Sequence, residues 1–270
     1  MTAAAPVLSA PPGVDADALL DGFLTYCADQ GLTLYPAQEE AILELFAGRD
    51  VVLNTPTGSG KSLVAMAAHL LALSRGERSV YTSPIKALVS EKFFALCAVF
   101  GPERVGMMTG DEVVNGGADI VCCTAEVLAS MALREGVDCP LRVVVMDEFH
   151  YYADASRGTA WQVPLLLLSK ATFLLMSATL GDTDPIAARL DELTGHGVAV
   201  IKGVERPVPL EFSYAEQPLL ETVSGLVSAG RAPVYLVNFS QREASELAQG
   251  LASTYPVDKE HRARLKEELA

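Results

Sequence analysis

The sequence predicts an α/β fold with a doubly wound, mainly parallel sheet, and three observations support this class. Short apolar runs alternate with helix-like segments from residue 50 to residue 195, which is the order of a strand–helix–strand protein. These runs, such as the three valines at 143–145, lack alternating polar residues, as is typical of strands covered on both faces. Half of the 270 residues are hydrophobic and only 20% are charged, a composition that supplies a large core and argues against disorder.

Each predicted element follows from a local pattern. Apolar runs, several of them rich in β-branched residues, predict strands at 50–54, 80–84, 119–125, 142–148 and 172–180. Segments rich in good helix formers predict helices at 61–73, 86–101, 125–136 and 184–195.

The pattern changes near residue 203, where GVERPVPLE has two prolines and no periodicity. We therefore expect a linker at 204–211 between a first domain at 15–203 and a second α/β unit at 212–270. The second unit has a helix, a strand at 232–240 and another helix. One strand with two helices cannot form a complete sheet, so we expect that this unit is the incomplete start of a domain. Residues 1–14, rich in alanine and proline, are expected to be a disordered lead-in.

Charge and composition exclude some classes of function. A net charge of −14 argues against a protein that coats nucleic acid electrostatically, but it leaves open a local grip on one strand through amides and hydroxyls. No apolar run reaches 18 residues and no secretory signal precedes the domain, so we expect no membrane association and a cytoplasmic protein. The five cysteines form no CxxC pair, which favours reduced, buried thiols. Cys122 and Cys123 are neighbours in a predicted strand and should point to opposite faces.

The segment TPTGSGKS at 55–62 lies between a predicted strand and a predicted helix, as a phosphate-binding loop must. Its glycines let backbone amides turn toward phosphates, its lysine reaches the β- and γ-phosphates, and its last serine can bind Mg²⁺. The strict pattern has glycine where this chain has Thr55, a departure common among helicases. The alternative is a simple glycine–serine turn with a surface lysine. We expect the phosphates to be held by Thr57, Gly58, Ser59, Gly60, Lys61 and Ser62.

A second motif, VVVMDEFH at 143–150, ends a predicted strand in two acids. A carboxylate at the end of a buried strand suits a Mg²⁺ site. We expect Asp147 to hold Mg²⁺ together with Ser62, mostly through water in the case of Asp147, and Glu148 to orient or deprotonate the attacking water. The catalytic set is therefore Glu148, Asp147 and Lys61. The alternative is an ordinary acidic turn after a strand.

With these motifs the chain resembles the superfamily 2 nucleic-acid helicases that carry a DExH box. The resemblance rests on DEFH together with LYPAQEEAI, TSPIKALVSEK, MTGD, TAEVL, SAT and PVYLVNFSQREA, in the family's order. Within it, DEFHYYADASRGTAW and ERPVPLEFSY resemble the superkiller, exosome-associated RNA helicase branch. The resemblance implies RecA-like domains, ATP with Mg²⁺, a single-stranded nucleic acid and the RNA-degradation machinery. RNA is favoured over DNA, although repair-type DNA helicases share much of the pattern.

The resemblance also implies residue roles around the nucleotide. Gln38 is expected to hydrogen-bond adenine, with Leu32 and Tyr35 near the base, although Tyr35 could equally pack at a helix start. His150 is expected to sense the γ-phosphate and to connect it to the coupling residues, unless it is a buried structural histidine. The coupling residues are Ser177, Ala178 and Thr179.

For the strand, the resemblance points to corners between strands and helices, where hydroxyls, amides and helix N-termini bind phosphates. The expected contacts are Pro84, Lys86, Thr109, Gly110, Thr124 and Arg157. Arg157 could equally form a surface ion pair, and Glu126 suits the first turn of a helix better than a ligand role. Trp161 is expected to pack in the core.

The resemblance finally implies an arginine finger from the second domain, which stabilises charge on the transferred phosphoryl group. We find no segment that matches the motif carrying this arginine. We therefore expect this chain to bind ATP and hydrolyse it poorly. The alternative, in a different functional class, is a nucleotide-gated fragment that binds RNA or a partner without turnover.

Overall fold

A computed structural model of the chain describes residues 8–9, 13–203, 210–254 and 264. It divides into two compact units, Met1–Pro209 and Leu210–Ala270. Most of the predicted linker, residues 204–209, and most of the predicted N-terminal lead-in lie outside the described residues. Described residues of that lead-in contact the rest of the first unit. Leu8 is buried and its amide donates to the Val99 carbonyl at 2.8 Å, and the Gly13 amide donates to the Ser74 carbonyl at 2.9 Å.

The first unit is built on an eight-stranded sheet with the order β4-β3-β5-β2-β6-β7-β1-β8. Its neighbouring strands run parallel except β3 and β4, which pair antiparallel. The predicted mainly parallel, doubly wound sheet is therefore confirmed. The strands are β1 Asp50–Asn54, β2 Arg78–Ser83, β3 Val105–Met108, β4 Val113–Val114, β5 Ile120–Thr124, β6 Leu141–Met146, β7 Thr172–Ser177 and β8 Val198–Lys202.

Helices cover both faces of this sheet, so its strands are buried on both sides. Two 3₁₀ turns, Gly136–Asp138 and Phe149–Ala153, complete the unit. The helices are α1 Ala16–Asp29, α2 Pro36–Phe46, α3 Lys61–Ser74, α4 Lys86–Phe100, α5 Ala125–Glu135, α6 Gly158–Leu167 and α7 Asp184–Thr194. Among the described residues, no helix is both long and apolar enough to cross a membrane.

Two hydrophobic cores lie on the two faces of the sheet. Helices α1 to α4 pack on one face, and α5 to α7 pack on the other. Alternate residues of each strand enter alternate cores, as the strand period of two requires. Val143 and Val145 of β6 enter the first core, whereas Val144 enters the second. Cys122 and Cys123 divide in the same way, and both are fully buried, as predicted.

A buried carboxylate ties the amino end of β1 to its neighbours. Asp50 accepts hydrogen bonds from the Phe173 amide at 2.7 Å and from the Thr194 hydroxyl at 2.6 Å. Burial raises the pKa of Asp50, and these two donors oppose part of that shift. This end of the sheet is therefore fixed by paired polar groups.

Several predicted strands extend past the observed ends. The strand predicted to 148 ends at Met146, and the one predicted to 180 ends at Ser177. In both cases the chain leaves the ladder at the carboxyl edge of the sheet, where polar residues begin. β3, β4 and β8 form where no strand was predicted, and α1 forms where no helix was predicted.

Within residues 210–254, the second unit forms two helices, α8 Leu219–Ser228 and α9 Gln241–Thr254. Both predicted helices are present, but the predicted strand at 232–240 is wrong, because that segment forms neither helix nor strand. A strand needs a paired neighbour, and the described residues of this unit include no other strand. The apolar side chains of the segment are exposed, with Tyr235 at 90% and Phe239 fully exposed.

Candidate nucleotide and strand sites

The candidate phosphate loop connects β1 to α3 at the carboxyl edge of the sheet. Gly58 and Gly60 have φ angles of +85° and +71°, a left-handed conformation that glycine adopts without strain. A Cβ atom on Gly60 would also collide with the Gln38 side chain. The two glycines that the sequence marks are therefore both required by the backbone.

Gln38 lies behind this loop, and the expected contact of its side chain with adenine stays a prediction. Its side chain is 3% exposed. Its amide nitrogen donates to the carbonyls of Ser59 and Gly60, both at 2.9 Å, and its oxygen accepts from the Tyr35 amide at 2.7 Å. Both amide hydrogens are thus engaged by the loop, and in this arrangement Gln38 positions the phosphate loop. Leu32 and Tyr35 remain exposed.

Lys61 begins α3 and points along the loop. Its ammonium donates to the carbonyls of Thr55 at 2.8 Å and Pro56 at 3.1 Å. Burial lowers the pKa of Lys61, and the carboxylates of Asp147 and Glu148 oppose that shift. A partly desolvated cation held by two neutral carbonyls is well placed to bind phosphate oxygens.

Asp147 follows β6 and is fixed on both sides of its carboxylate. The Tyr81 hydroxyl donates to one oxygen at 2.5 Å, and the Glu148 amide donates to the other at 3.0 Å. Burial, and then the nearby Asp147 carboxylate, raise the pKa of Tyr81 well above its usual value. Sequence reasoning missed Tyr81 because its partner lies 66 residues further along the chain.

Glu148 has a left-handed backbone, with φ +52°, which is unusual for a residue other than glycine. This conformation turns the chain out of β6 into the 3₁₀ turn Phe149–Ala153. The Glu148 carboxylate lies 3.3 Å from Nδ1 of His150. Strained backbone of this kind is frequent at functional sites.

His150 connects this turn to the predicted coupling residues. Its Nδ1 lies 3.2 Å from the Ser177 hydroxyl oxygen, which also accepts from the Thr179 amide at 3.2 Å. Ser177 is buried and Thr179 is exposed, with Ala178 between them partly buried. His150 is about one third exposed, which is not the environment of a buried structural histidine.

Several of these groups line one cavity of about 300 Å³. The described residues that line it are Thr57, Gly58, Gly60, Lys61, Ser62, Tyr81, Asp147, Glu148 and Met176. Ser62 is exposed, and Nζ of Lys92 lies 3.5 Å from its hydroxyl. Among the described residues, no cluster of three or more metal-binding side chains exists. A cation here would therefore take oxygens of Ser62 and Asp147 and complete its shell with water and phosphate, as Mg²⁺ does.

The predicted strand contacts lie along the same carboxyl edge, at the ends of β2, β3 and β5. Pro84, Thr109 and Thr124 are buried, whereas Lys86 and Gly110 are exposed. Lys86 forms an ion pair with Asp111 at 2.5 Å. The edge therefore offers helix N-termini and loop amides more than free cations.

Arg157 forms an ion pair with Glu126, and such a pair was the alternative to its predicted contact with the strand. Its Nε and Nη2 lie 3.0 and 2.7 Å from one Glu126 oxygen, and Nη2 also donates to the Pro84 carbonyl at 2.5 Å. Partial burial alone would raise the pKa of Glu126, but the hydrogen bonds from Arg157 and from its own backbone lower it overall. Trp161 is fully buried in the second core, as predicted.

Comparison with known proteins agrees with this geometry. A family model described as DEAD/DEAH box helicase matches residues 35–186. The chain is 36% identical over 197 residues to the DExH-box ATP-dependent RNA helicase DExH15 chloroplastic of Arabidopsis thaliana, covering 68% of this chain and 17% of that relative. It is 39% identical over 177 residues to superkiller complex protein 2 of Mus musculus, covering 64% and 14%. The chain thus spans less than a fifth of either relative.

Among solved structures, the crystal structure of the DUF1998 helicase MrfA bound to DNA matches with a TM-score of 0.55 and 21% identity. The match covers 73% of this chain and 31% of that one. This likeness shows the fold, which is the expected RecA-like one. The predicted resemblance to DExH-box helicases of the superkiller type is confirmed by the relatives, and the chain belongs to the DEAD/DEAH box helicase family.

Proposed function

We propose that this chain binds ATP and Mg²⁺ at the carboxyl edge of its sheet and is part of an ATP-dependent helicase or translocase. The observation that carries the proposal is the convergence of Lys61, Asp147 and Glu148 on one cavity beside the His150–Ser177 contact. Family membership supports the same assignment.

The residues of the cavity suit ATP and Mg²⁺. Ser62 and Asp147 would hold the ion, and since both Asp147 oxygens already accept hydrogen bonds, Asp147 would bind it mainly through water. Bound Mg²⁺ would neutralise charge on the phosphates. Lys61 exchanges the carbonyls of Thr55 and Pro56 for phosphate oxygens, while the amides around Gly58 and Gly60 turn toward the same group.

Glu148 lies at the edge of the cavity with a partly exposed carboxylate. In the proposed mechanism it orients a water molecule and accepts its proton. His150 stands between this carboxylate and Ser177, so a change at the γ-phosphate would reach Thr179 through three successive contacts, Glu148–His150, His150–Ser177 and Ser177–Thr179. We assign the coupling role to this path.

The described residues that line the cavity include no arginine. Phosphoryl transfer in this class of enzyme depends strongly on an arginine that neutralises charge in the transition state. We therefore propose that the 270-residue chain alone binds ATP but turns it over slowly. The second candidate function is a nucleotide-gated fragment that binds RNA or a partner without turnover. The absence of an arginine from the described cavity lining favours this candidate for the isolated chain.

We propose RNA as the strand, because one of the relatives described above is named an RNA helicase and the other a superkiller complex protein. Association with the RNA-degradation machinery is proposed from the superkiller resemblance, with the cytoplasm as the location. DNA is the alternative strand, since MrfA, which has the same fold, was crystallised with DNA.

The first test measures binding of a fluorescent ATP analogue with and without Mg²⁺, followed by ATP hydrolysis with single-stranded RNA or DNA. Lys61→Ala should weaken binding at least about tenfold, which corresponds to about 1.4 kcal/mol. Glu148→Gln should retain binding and abolish any residual hydrolysis. Lys170→Ala, which removes an exposed lysine paired with Asp138, is the matched control and should bind normally. Normal ATP binding by Lys61→Ala would contradict the site, and rapid RNA-stimulated turnover by the unaltered chain would contradict the fragment proposal.

A further inference from the structure

Arg157 occupies a junction between three segments of the first unit. Its guanidinium bonds Glu126 in the first turn of α5 and the carbonyl of Pro84 at the corner between β2 and α4. Its own segment follows the 3₁₀ turn that begins after Glu148. The arginine thus joins two of the predicted strand-binding corners to the acidic motif of the nucleotide site.

The junction continues toward His150 through an aromatic contact. The Arg157 guanidinium lies 5.5 Å from the centre of the Tyr151 ring, within the range of a cation–π interaction. The Tyr151 ring is centred 4.8 Å from the His150 ring, and His150 contacts both Glu148 and Ser177. An unbroken path of contacts therefore leads from the nucleotide cavity to the strand-binding edge within one domain.

Local structure fixes the arginine in this place. One oxygen of Asp154 accepts from the amides of Ser156 and Arg157, each at 2.8 Å, and from the Ser156 hydroxyl at 2.7 Å. Gly158 follows directly, and a Cβ there would collide with the Tyr152 carbonyl. The turn and the close approach together aim the guanidinium at α5.

We propose that Arg157 is a positioning residue that couples nucleotide binding to strand binding, by linking the His150 turn to the corners at Pro84 and Glu126. The proposal rests on the proposed function, because it assumes ATP in the cavity and a strand at the carboxyl edge. It replaces the expectation that Arg157 binds the strand directly.

The contacts favour coupling over direct phosphate binding. Two of the three guanidinium nitrogens are engaged, and a carboxylate already balances the charge. The planar fork of arginine fixes the relative direction of its partners, which a lysine cannot do. A small rotation of the His150 turn would therefore shift the first turn of α5, where Thr124 is the N-cap residue.

The experiment uses the 270-residue chain with a fluorescein-labelled oligouridine, with and without a non-hydrolysable ATP analogue and Mg²⁺. In the unaltered chain, the analogue should change the oligouridine Kd by about fivefold or more. Arg157→Gln and Arg157→Lys should both reduce this change below about twofold while ATP-analogue binding stays near normal. If Arg157 instead contacted a phosphate of the strand directly, Arg157→Lys would keep the charge and should retain most of the affinity for oligouridine.

Glu126→Gln distinguishes a linking role of Arg157 from a phosphate-binding role, because the two roles predict different effects on coupling and on oligouridine affinity. If Arg157 acts as a link, this variant should lose coupling. If Arg157 is a phosphate ligand, removing its competing carboxylate should tighten oligouridine binding and leave coupling unchanged, which would overturn the proposal. Arg189→Gln removes an exposed pair with Glu192 at 2.6 Å and is the control that should leave coupling intact.

Tryptophan fluorescence provides a second measurement, which distinguishes failure of the coupling proposal from failure of the proposed function. Trp161 is the single tryptophan of the chain, and its ring lies 6.2 Å from that of Tyr151. Oligouridine alone should change Trp161 emission in the unaltered chain and in Arg189→Gln, but not in Arg157→Gln. An equal change in Arg157→Gln overturns the coupling proposal, as does analogue binding without any effect on oligouridine affinity. Failure of the unaltered chain to bind the ATP analogue overturns the proposed function instead.

Discussion

Gln38 and Tyr81 hold two parts of the proposed nucleotide site through side-chain hydrogen bonds to residues far along the chain. Gln38 supports the carbonyls of Ser59 and Gly60, and Tyr81 supports Asp147. None of these bonds is visible in a linear motif, because each depends on how the sheet brings distant segments together. The motifs thus identify the reactive groups and Gln38, but they leave out Tyr81 and do not show which groups Gln38 and Tyr81 position.

Gln38→Ala tests whether this glutamine positions the loop or reads the base. Loss of its amide removes two hydrogen bonds to loop carbonyls, and we expect a cost of about 1–3 kcal/mol in nucleotide binding. Since the loop is proposed to bind the phosphates, affinities for ATP and GTP should fall by the same factor, measured by titration with labelled nucleotides. A selective loss of ATP over GTP would instead restore the adenine-reading role.

Helix α6 begins with a glycine that lies very close to the backbone of the preceding 3₁₀ turn. Gly158 lies against the Tyr152 carbonyl, and α6 packs on the second core through Trp161. Any side chain at 158 must displace either the 3₁₀ turn or the helix.

Gly158→Ala should therefore lower the free energy of unfolding by about 1–3 kcal/mol, seen as a lower midpoint in urea unfolding. Gly22→Ala is the matched control. Gly22 lies within α1, has no neighbour within 4 Å of a built Cβ and has no positive φ. This control should stabilise the chain by about 0.5–1 kcal/mol. Equal effects of the two substitutions would contradict the steric argument.

At the same scale, the central strands and helices could be predicted because their own residues determine them. β1 matches its prediction at both ends, and α3 and α5 match within one residue, since apolar runs and helix formers dominate locally. β3 was missed because it is four residues long and contains Gly106, which the antiparallel hairpin partner Asn115 approaches closely. The strand predicted at 232–240 depends on a pairing that its own residues cannot supply.

The whole first unit depends on two cores separated by one sheet, and the first of them contains a buried titratable group. His69 is fully buried between α3 and β2, where its Nδ1 lies 2.9 Å from the Ser79 hydroxyl. Burial lowers the pKa of His69 to about 3. The folded chain therefore keeps this imidazole neutral in acid, whereas the unfolded chain protonates it below about pH 6.5.

Stability should consequently fall as the pH drops below about 6.5, because the unfolded state then binds the additional proton. Between pH 7.5 and pH 5 we expect His69 to account for a loss of about 2 kcal/mol in the free energy of unfolding. Urea unfolding at several pH values measures the loss, and His69→Gln should remove this part of the slope. An unchanged slope in that variant would show that other groups cause the acid sensitivity.

The division of Cys122 and Cys123 between the two cores has a consequence for how opening of the domain can be followed in time. Burial raises the pKa of Cys123 to about 12 and also raises that of Cys122, so neither thiol reacts while the domain is closed. A thiol reagent reaches Cys122 only when the layer of α1 to α4 opens, and Cys123 only when the layer of α5 to α7 opens. The labelling rates of these two adjacent cysteines therefore report separately on the opening of the two helix layers. The cysteine that is labelled faster identifies the layer that detaches first from the sheet.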